Sequence, residues 1–179
     1  MKPLFSPRFF HSCFFALLRV SEVAHTPGTG SRHALQYSGV IFHVDNQGNC
    51  ITLHIPSSKT DQLSRGTSIC LRPYDNKAIY PIANATLFLQ HRSTAVGQFF
   101  IHADERPISA YQVSSVLHKC LEFCHIPLPE LYTTHSFRIG ACSTLSQQGL
   151  SADSIRSAGR WRSSAFKRYI RDSHVSPWQ

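Results

Sequence analysis

The strand-like patterns of this sequence are confined to one short segment, and this confinement most limits what the chain can fold into. Residues 51–55 alternate apolar and polar side chains, which is the period-two pattern of a half-buried strand. Residues 39–44 and 67–71 are also strand-like, and the turn-forming residues 45–49 separate the first two segments. Because tight turns join antiparallel neighbours, we predict a small antiparallel three-stranded sheet in a mainly helical α+β domain.

Helical periodicity and capping residues account for most of the remaining chain. Residues 9–24 repeat apolar side chains at three- and four-residue spacing, so we predict one continuous helix that ends at the turn 26–30. A second helix is predicted over residues 81–90, and a short strand over residues 98–102. Four more helices are predicted. One begins after its cap Ser109, one runs from Thr133 or Thr134 to Gly149, one from Ser151 to residue 158, and one from Ser163 through Tyr169.

Length and charge fit one domain with a polyanionic partner. The 179 residues, of which 42% are hydrophobic, suffice for a single domain over 1–179, with its core at 9–172. The net charge of +8 favours nucleic acid, because each Lys or Arg placed on a phosphate releases counterions. The apolar stretch 13–18 is too short for a membrane span and no signal-peptide cleavage site follows it. We therefore expect an intracellular protein of the nucleus or cytoplasm, with no membrane and no small-molecule substrate.

The six cysteines indicate reduced thiols, because none forms a C-x-x-C pair and a chain of this length does not need disulfides. One alternative is a zinc site, since Cys120 and Cys124 lie four residues apart with His118 and His125 beside them. No second ligand pair has zinc-site spacing. We therefore predict neither a metal nor a cofactor.

The segment 133–171 carries the residues with the clearest chemistry. His135 and Arg138 are three residues apart, so they share one face of a helix. Near the helix N-terminus, backbone N–H groups favour an anion, and an imidazole beside a guanidinium suits phosphate handling. H-x-x-R alone is more typical of a solvated helix face. The motif G-R-W at 159–161 and then Tyr169 complete an ordered set.

This ordered set resembles the C-terminal box of the tyrosine recombinases, also called phage integrases. The family pattern is H-x-x-R, then G-[HR]-[HW], and then a nucleophilic tyrosine. Here the pattern falls on His135, Arg138, Trp161 and Tyr169, and it looks closest to the recombinases of eukaryotic mobile elements such as Cryptons and DIRS elements. The resemblance covers residues 9–172 and implies the family's mainly helical catalytic domain with its small sheet.

The N-terminal half contains the other residues that the resemblance implies. The motif L-R-V-S-E is similar to the family's first arginine motif, which places a catalytic arginine at Arg19 and its acidic support at Glu22. The family keeps a catalytic lysine between two strands, and Lys59 lies in the polar loop between the second and third predicted strands. Lys77 or Arg65 would substitute for Lys59 if the loop folds differently.

The resemblance implies DNA cleavage and rejoining through a 3′-phosphotyrosine. Arg19 and Arg138 would hold the nonbridging phosphate oxygens, because a guanidinium donates in a planar fork and stays protonated. Tyr169 would attack the phosphorus, and His135 would take the phenol proton. Lys59 would protonate the 5′-oxygen as it leaves.

Two further sequence features agree with arginine-based chemistry. Trp161 stands where the family often has a histidine, and its indole N–H can donate to a phosphate but cannot exchange a proton near neutral pH. The ten acidic residues include no D-x-D cluster, which argues against a two-metal nuclease, and the sequence has no P-loop pattern. Cys142 and Ser143 have no neighbour that suggests nucleophilic catalysis.

The expected partner is double-stranded DNA, with a homotetramer as the family's assembly on DNA. The family's N-terminal helical domain has no room before Arg19, so we expect weak affinity and weak site choice. Trp178 would anchor in a neighbouring protomer or pack on its own chain. Two other functions stay open: a noncatalytic DNA-binding or interaction module, and a type IB topoisomerase-like enzyme that nicks and reseals one strand.

Overall fold

The computed structural model describes residues 16–58, 61, 65–73, 81–92 and 95–171. Within these residues the elements, in chain order, are helix α1 (Val20–Val23), strands β1 (Val40–Asp45), β2 (Gly48–Ile55) and β3 (Thr67–Leu71), and helices α2 (Pro81–Gln90), α3 (Ala110–Phe123), α4 (Ser136–Gln147) and α5 (Ala152–Ala158). Short 3₁₀ helices lie at Tyr37–Gly39, Pro129–Leu131 and Ser164–Tyr169. None of the described helices is long and apolar enough to cross a bilayer.

The three strands form one antiparallel sheet in the order β1-β2-β3, which confirms the predicted sheet. Asn46 and Gln47 make the tight turn between β1 and β2, and the Asp45 carboxylate accepts a hydrogen bond from the Gln47 backbone N–H. Every second residue of β2 from Ile51 to Ile55 is buried, as the alternating pattern predicts. The α+β fold class is therefore confirmed.

The described residues bury two hydrophobic clusters. The larger cluster joins the inner face of β2 to α3, through Ile51 on the strand and Val113 and Leu117 on the helix. The smaller cluster consists of Leu17, Ala141, Cys142, Ile155 and Phe166, with Trp161 and Tyr169 packed against it. Because burial of a large apolar side chain such as Leu17, Ile155 or Phe166 contributes about 1.5–3 kcal/mol, the smaller cluster holds α4, α5 and the last 3₁₀ helix together.

The predicted continuous helix over residues 9–24 is wrong in its described part. Residues 9–15 lie outside the described residues, and helix is found only at Val20–Val23. Leu17 has a positive φ of 45°, and Arg19 is extended. The reason is a long-range contact, because the Leu17 carbonyl accepts hydrogen bonds from Arg138 and Arg160 instead of from a helical N–H.

Two smaller predictions also need correction. Residues 98–102 form no strand; Gln98 and Ile101 make only isolated bridges to other segments, while Phe99 and Phe100 are both buried. The helix predicted to begin at Thr133 or Thr134 begins at Ser136 instead, and its N-cap is His135. The first error arises because the segment bridges two different partners, Gln36 and Pro107, at single positions, so no continuous ladder forms.

The other helix boundaries agree with the predicted caps. The hydroxyl of Ser109 accepts from the Gln112 N–H at 3.2 Å, and that of Ser151 accepts from the Ser154 N–H at 3.1 Å. Ser163 caps the last helix, which is a 3₁₀ helix. These caps each satisfy one otherwise unpaired backbone donor, so the elements that carry the site begin at fixed positions.

Candidate active site

The carboxyl-terminal elements place His135 and Tyr169 in direct contact. The Tyr169 hydroxyl lies 2.6 Å from His135 Nε2, and the centroids of the two rings are 5.0 Å apart. Ser143 on α4 fixes the backbone around the tyrosine, because its hydroxyl accepts from the Arg171 N–H at 2.9 Å and donates to the Tyr169 carbonyl at 3.3 Å. The two residues are thus held together by hydrogen bonds between side chains and between α4 and the last 3₁₀ helix.

The surroundings of His135 favour its neutral form. Burial lowers the pKa of His135 below its ordinary value of 6.5, and the nearby charges of Arg138 and Arg19 lower the pKa further. A neutral imidazole at pH 7 can accept a proton from a phenol that donates to it. The 2.6 Å contact therefore has the geometry for proton transfer from the phenol to the imidazole.

Arg138 is the most deeply buried cation of the site. Its residue is only 1% exposed, and its guanidinium donates to the carbonyls of Leu17 and Gly159. The Trp161 ring covers it, with 4.3 Å from the guanidinium carbon to the ring centroid. Burial lowers the pKa of Arg138 to about 10, and the charges of nearby arginines add to that shift. The group stays protonated at neutral pH, and its buried Nε has no hydrogen-bond partner among the described atoms.

A second group of charges surrounds the buried carboxylate of Glu22. Glu22 is fully buried, and its two oxygens contact Arg19 Nη1 at 2.9 Å and Arg160 Nη2 at 2.6 Å. The same carboxylate accepts from the Arg19 backbone N–H at 2.9 Å. Arg19 and Arg160 thus pair with one carboxylate, and Arg138 is close enough to feel the charges of all three groups. Three guanidiniums near a single carboxylate leave an excess of positive charge, which suits an incoming phosphate.

Arg160 is a site residue that the sequence analysis missed. The family pattern G-[HR]-[HW] assigns a role to Trp161, and the sequence predicts none for Arg160. The structure gives Arg160 a positive φ of 58° and turns its guanidinium inward, where it also donates to the carbonyls of Ala16 and Leu17. The available signal was the motif itself, because its second position accepts a basic residue.

Trp161 packs against both Arg138 and Tyr169, and its role as a phosphate donor stays a prediction. Its ring centroid is 4.3 Å from the guanidinium carbon of Arg138 and 5.0 Å from the centroid of the Tyr169 ring. The ring passes so close to Gly159 that a Cβ there would lie 1.4 Å from one of its carbons. Glycine at 159 is therefore required for this stacked position.

Lys59 lies outside the described residues, and so does Lys77. Arg65, the other alternative, is exposed. The start of the loop is nevertheless fixed, because His33 Nδ1 and the Ser57 hydroxyl are 2.6 Å apart in a buried contact. The role of Lys59 stays a prediction.

The alternative zinc group around Cys120 and Cys124 is not assembled in the described part of the chain. His118 Nε2 is 2.8 Å from the Tyr132 carbonyl instead. Where side chains are described, the atoms close enough to share one metal ion belong to His43, Asp45 and Cys50, on the sheet.

Of the comparisons with known proteins, the one with solved structures supports the fold. No protein-family model and no curated protein matches the chain. Solved structures do match it: XerH site-specific recombinase bound to palindromic difH substrate, in a post-cleavage complex, at a TM-score of 0.65 and 14% identity over 93% of this chain. The pre-cleavage XerH complex matches with a TM-score of 0.59 and 13% identity over 94% of the chain. The Tn1549 transposon integrase in complex with a circular intermediate DNA matches with a TM-score of 0.56 and 13% identity over 92% of this chain.

The chain spans about half the length of these solved proteins, namely 42%, 45% and 54% of them respectively. Identities of this size establish similarity of fold. The chain therefore has the α+β fold of a tyrosine recombinase catalytic domain.

Proposed function

We propose that this domain cleaves and rejoins DNA as a tyrosine recombinase, with Tyr169 as the nucleophile. The observation that carries the proposal is the 2.6 Å contact between the Tyr169 hydroxyl and His135 Nε2, beside three guanidinium groups. The recombination and integration complexes that share the fold support the same function. A eukaryotic mobile-element origin, of Crypton or DIRS type, is part of the proposal and rests on the sequence motifs.

The first chemical step follows from the contact between base and nucleophile. Tyr169 attacks a DNA phosphorus in line while His135 accepts the phenol proton. A bond forms between the tyrosine oxygen and phosphorus, and the bond from phosphorus to the 5′-oxygen breaks. Lys59 then protonates that oxygen, so the products are a 3′-phosphotyrosine and a free 5′-hydroxyl. The reverse reaction rejoins the strand without ATP, because the phosphotyrosine link conserves the free energy of the broken phosphodiester bond.

The arginines stabilise the charge that develops on the phosphate. Arg19 has a side chain that is 20% exposed, which makes it the most accessible of the three guanidiniums and the first to meet a phosphate. Arg138 donates to two backbone carbonyls and lies under Trp161. A phosphate that takes the place of those carbonyls would also reach the unpaired Nε of Arg138. We therefore propose that the Trp161 ring moves when DNA binds.

The proposed partner is double-stranded DNA in the nucleus or cytoplasm. The net charge of +8 supports this partner, as do the DNA complexes of XerH and the Tn1549 integrase. A homotetramer on DNA is proposed from the family resemblance. No step of the proposed chemistry uses a metal ion.

A noncatalytic DNA-binding module is the second candidate, and the burial of Arg138 favours it. An arginine that is 1% exposed cannot contact a phosphate without rearrangement. Nicking and resealing of one strand, as in type IB topoisomerases, uses the same chemistry and is a third outcome that the experiment below distinguishes.

The test is covalent trapping. The full chain is incubated in EDTA with a pool of random duplexes nicked so that the cleaved end is lost, and denaturing gels report protein–DNA adducts. An adduct that disappears in Tyr169→Phe and persists in Tyr111→Phe, a control at a tyrosine that is 81% exposed, supports the proposal. DNA binding without an adduct favours the noncatalytic module. A second reaction with supercoiled plasmid and an intact duplex separates the two activities that form an adduct, because relaxation without strand exchange favours the topoisomerase-like activity.

A further inference from the structure

The hairpin β1–β2 brings three metal-ligand side chains together on one face. His43 on β1 is directly opposite Cys50 on β2, and Asp45 is two residues from His43 on the same strand. Directly opposite residues and alternate residues of a strand share one face of a sheet. The imidazole nitrogen, the carboxylate oxygen and the sulfur all lie within 4.8 Å of one another.

This spacing is close to that of ligands around one ion. Zinc bonds of about 2.0–2.3 Å in a tetrahedral arrangement put ligand atoms about 3.5 Å apart. Side-chain rotations that move each atom by about 1 Å would therefore complete the site. The ligand set combines sulfur, nitrogen and oxygen, which selects a cation of intermediate softness such as Zn²⁺ over Mg²⁺ or Ca²⁺.

Two of the three ligands have hydrogen-bond partners that a metal ion would replace. The Cys50 thiol donates to the His43 backbone carbonyl at 3.5 Å, and the Asp45 carboxylate pairs with the Arg72 guanidinium. Arg72 contacts both oxygens, at 2.6 and 2.9 Å, but both side chains of this pair are more than a third exposed. Because this pair is open to solvent, a metal bond at Asp45 can replace one of its two hydrogen bonds without leaving a buried charge unpaired.

Access to the three ligands also fits a bound cation. Cys50 is buried, whereas His43 and Asp45 are exposed, so a cation can enter from the solvent side of the sheet. A cysteine ligates a metal ion as the thiolate, so binding would release the thiol proton of Cys50 to solvent.

We propose that His43, Asp45 and Cys50 bind one divalent cation of the Zn²⁺ class, which ties the edge strand β1 to β2. Nearly all of β1 is exposed, so the strand is held mainly by its hydrogen-bond ladder to β2. A metal that bridges the two strands adds a direct side-chain link between them. The site is separate from the catalytic chemistry, and adduct formation in EDTA does not depend on it.

The experiment titrates the full apo chain with Co²⁺ and records its absorption. Thiolate coordination gives a charge-transfer band in the near ultraviolet, with visible bands for a tetrahedral ion, and Zn²⁺ should displace the Co²⁺. We expect one equivalent to bind, and at least a tenfold loss of affinity in Cys50→Ser and in His43→Ala. Far-UV circular dichroism checks the fold of Cys50→Ser, and His43→Ala tests the proposal without changing a buried residue.

The matched control is Cys124→Ser, at an exposed thiol on another element, which should bind Co²⁺ like the unmodified chain. The proposal is overturned if no stoichiometric binding occurs or if His43→Ala binds with unchanged affinity. It is also overturned if Cys124→Ser abolishes binding, because the metal would then be held by the Cys120–Cys124 group.

Discussion

Neutralising Glu22 should destabilise the domain far more than neutralising an equally spaced surface carboxylate. Glu22 is fully buried and pairs with Arg19 and Arg160 at 2.9 and 2.6 Å. In Glu22→Gln the shape is conserved, but the Arg160 guanidinium, whose side chain is 12% exposed, loses its only carboxylate among the described ion pairs. Removing one partner of a buried pair costs about 3–5 kcal/mol. For a domain of this size that lowers the unfolding midpoint by about 6–20 °C.

The matched control is Asp153→Asn, which breaks another i,i+3 pair, that with Arg156. Asp153 is 83% exposed, so its midpoint should fall by less than about 2 °C. Thermal unfolding followed by circular dichroism compares the three chains at one pH and salt concentration. The prediction is refuted if the unfolding midpoints of Glu22→Gln and Asp153→Asn differ by less than about 2 °C. In that case the buried charge cluster does not hold these segments together.

Three further predictions follow from the same contacts. Adduct formation should be constant between about pH 7 and 9, where Lys59 also keeps the proton it donates. It should fall as the pH drops through the lowered pKa of His135, below 6.5, because the protonated imidazole cannot accept the phenol proton; His135→Gln should remove this pH dependence. Gly159→Ala should lower stability by about 1–3 kcal/mol in urea unfolding, because the added methyl displaces the Trp161 ring, and an unchanged midpoint would contradict the stacked position. Ser143→Ala should slow adduct formation more than it weakens DNA binding, since its hydroxyl positions the nucleophile's backbone through Arg171; equal losses would argue for a merely structural role.

Local patterns in the sequence were sufficient to predict the sheet and most helix boundaries. The period-two alternation of β2 marks one buried face, and each serine cap satisfies a donor only a few residues away. His135 and Arg138 were recognisable for the same reason, because their three-residue spacing on a helix places them on one face.

The features that sequence reasoning missed depend on contacts between distant segments. Arg138 donates to a carbonyl 121 residues earlier in the chain, and Arg160 to one 143 residues earlier. No local periodicity reports that the Leu17 carbonyl will accept these bonds, so a continuous helix was predicted through Leu17. The stacking of Trp161 on Arg138 likewise depends on the close approach that Gly159 permits.

The central claim is that Tyr169 is the nucleophile, and peptide mapping of the trapped adduct tests it most directly. Trypsin cleaves after Arg168 and Arg171, so nuclease and trypsin digestion of the EDTA-resistant adduct should yield the peptide 169–171 with a residual nucleotide on its tyrosine. Mass spectrometry should find that mass in the unmodified chain and not in Tyr169→Phe. A nucleotide on any other peptide, or a correctly folded chain that binds DNA and never forms an adduct, would contradict the account.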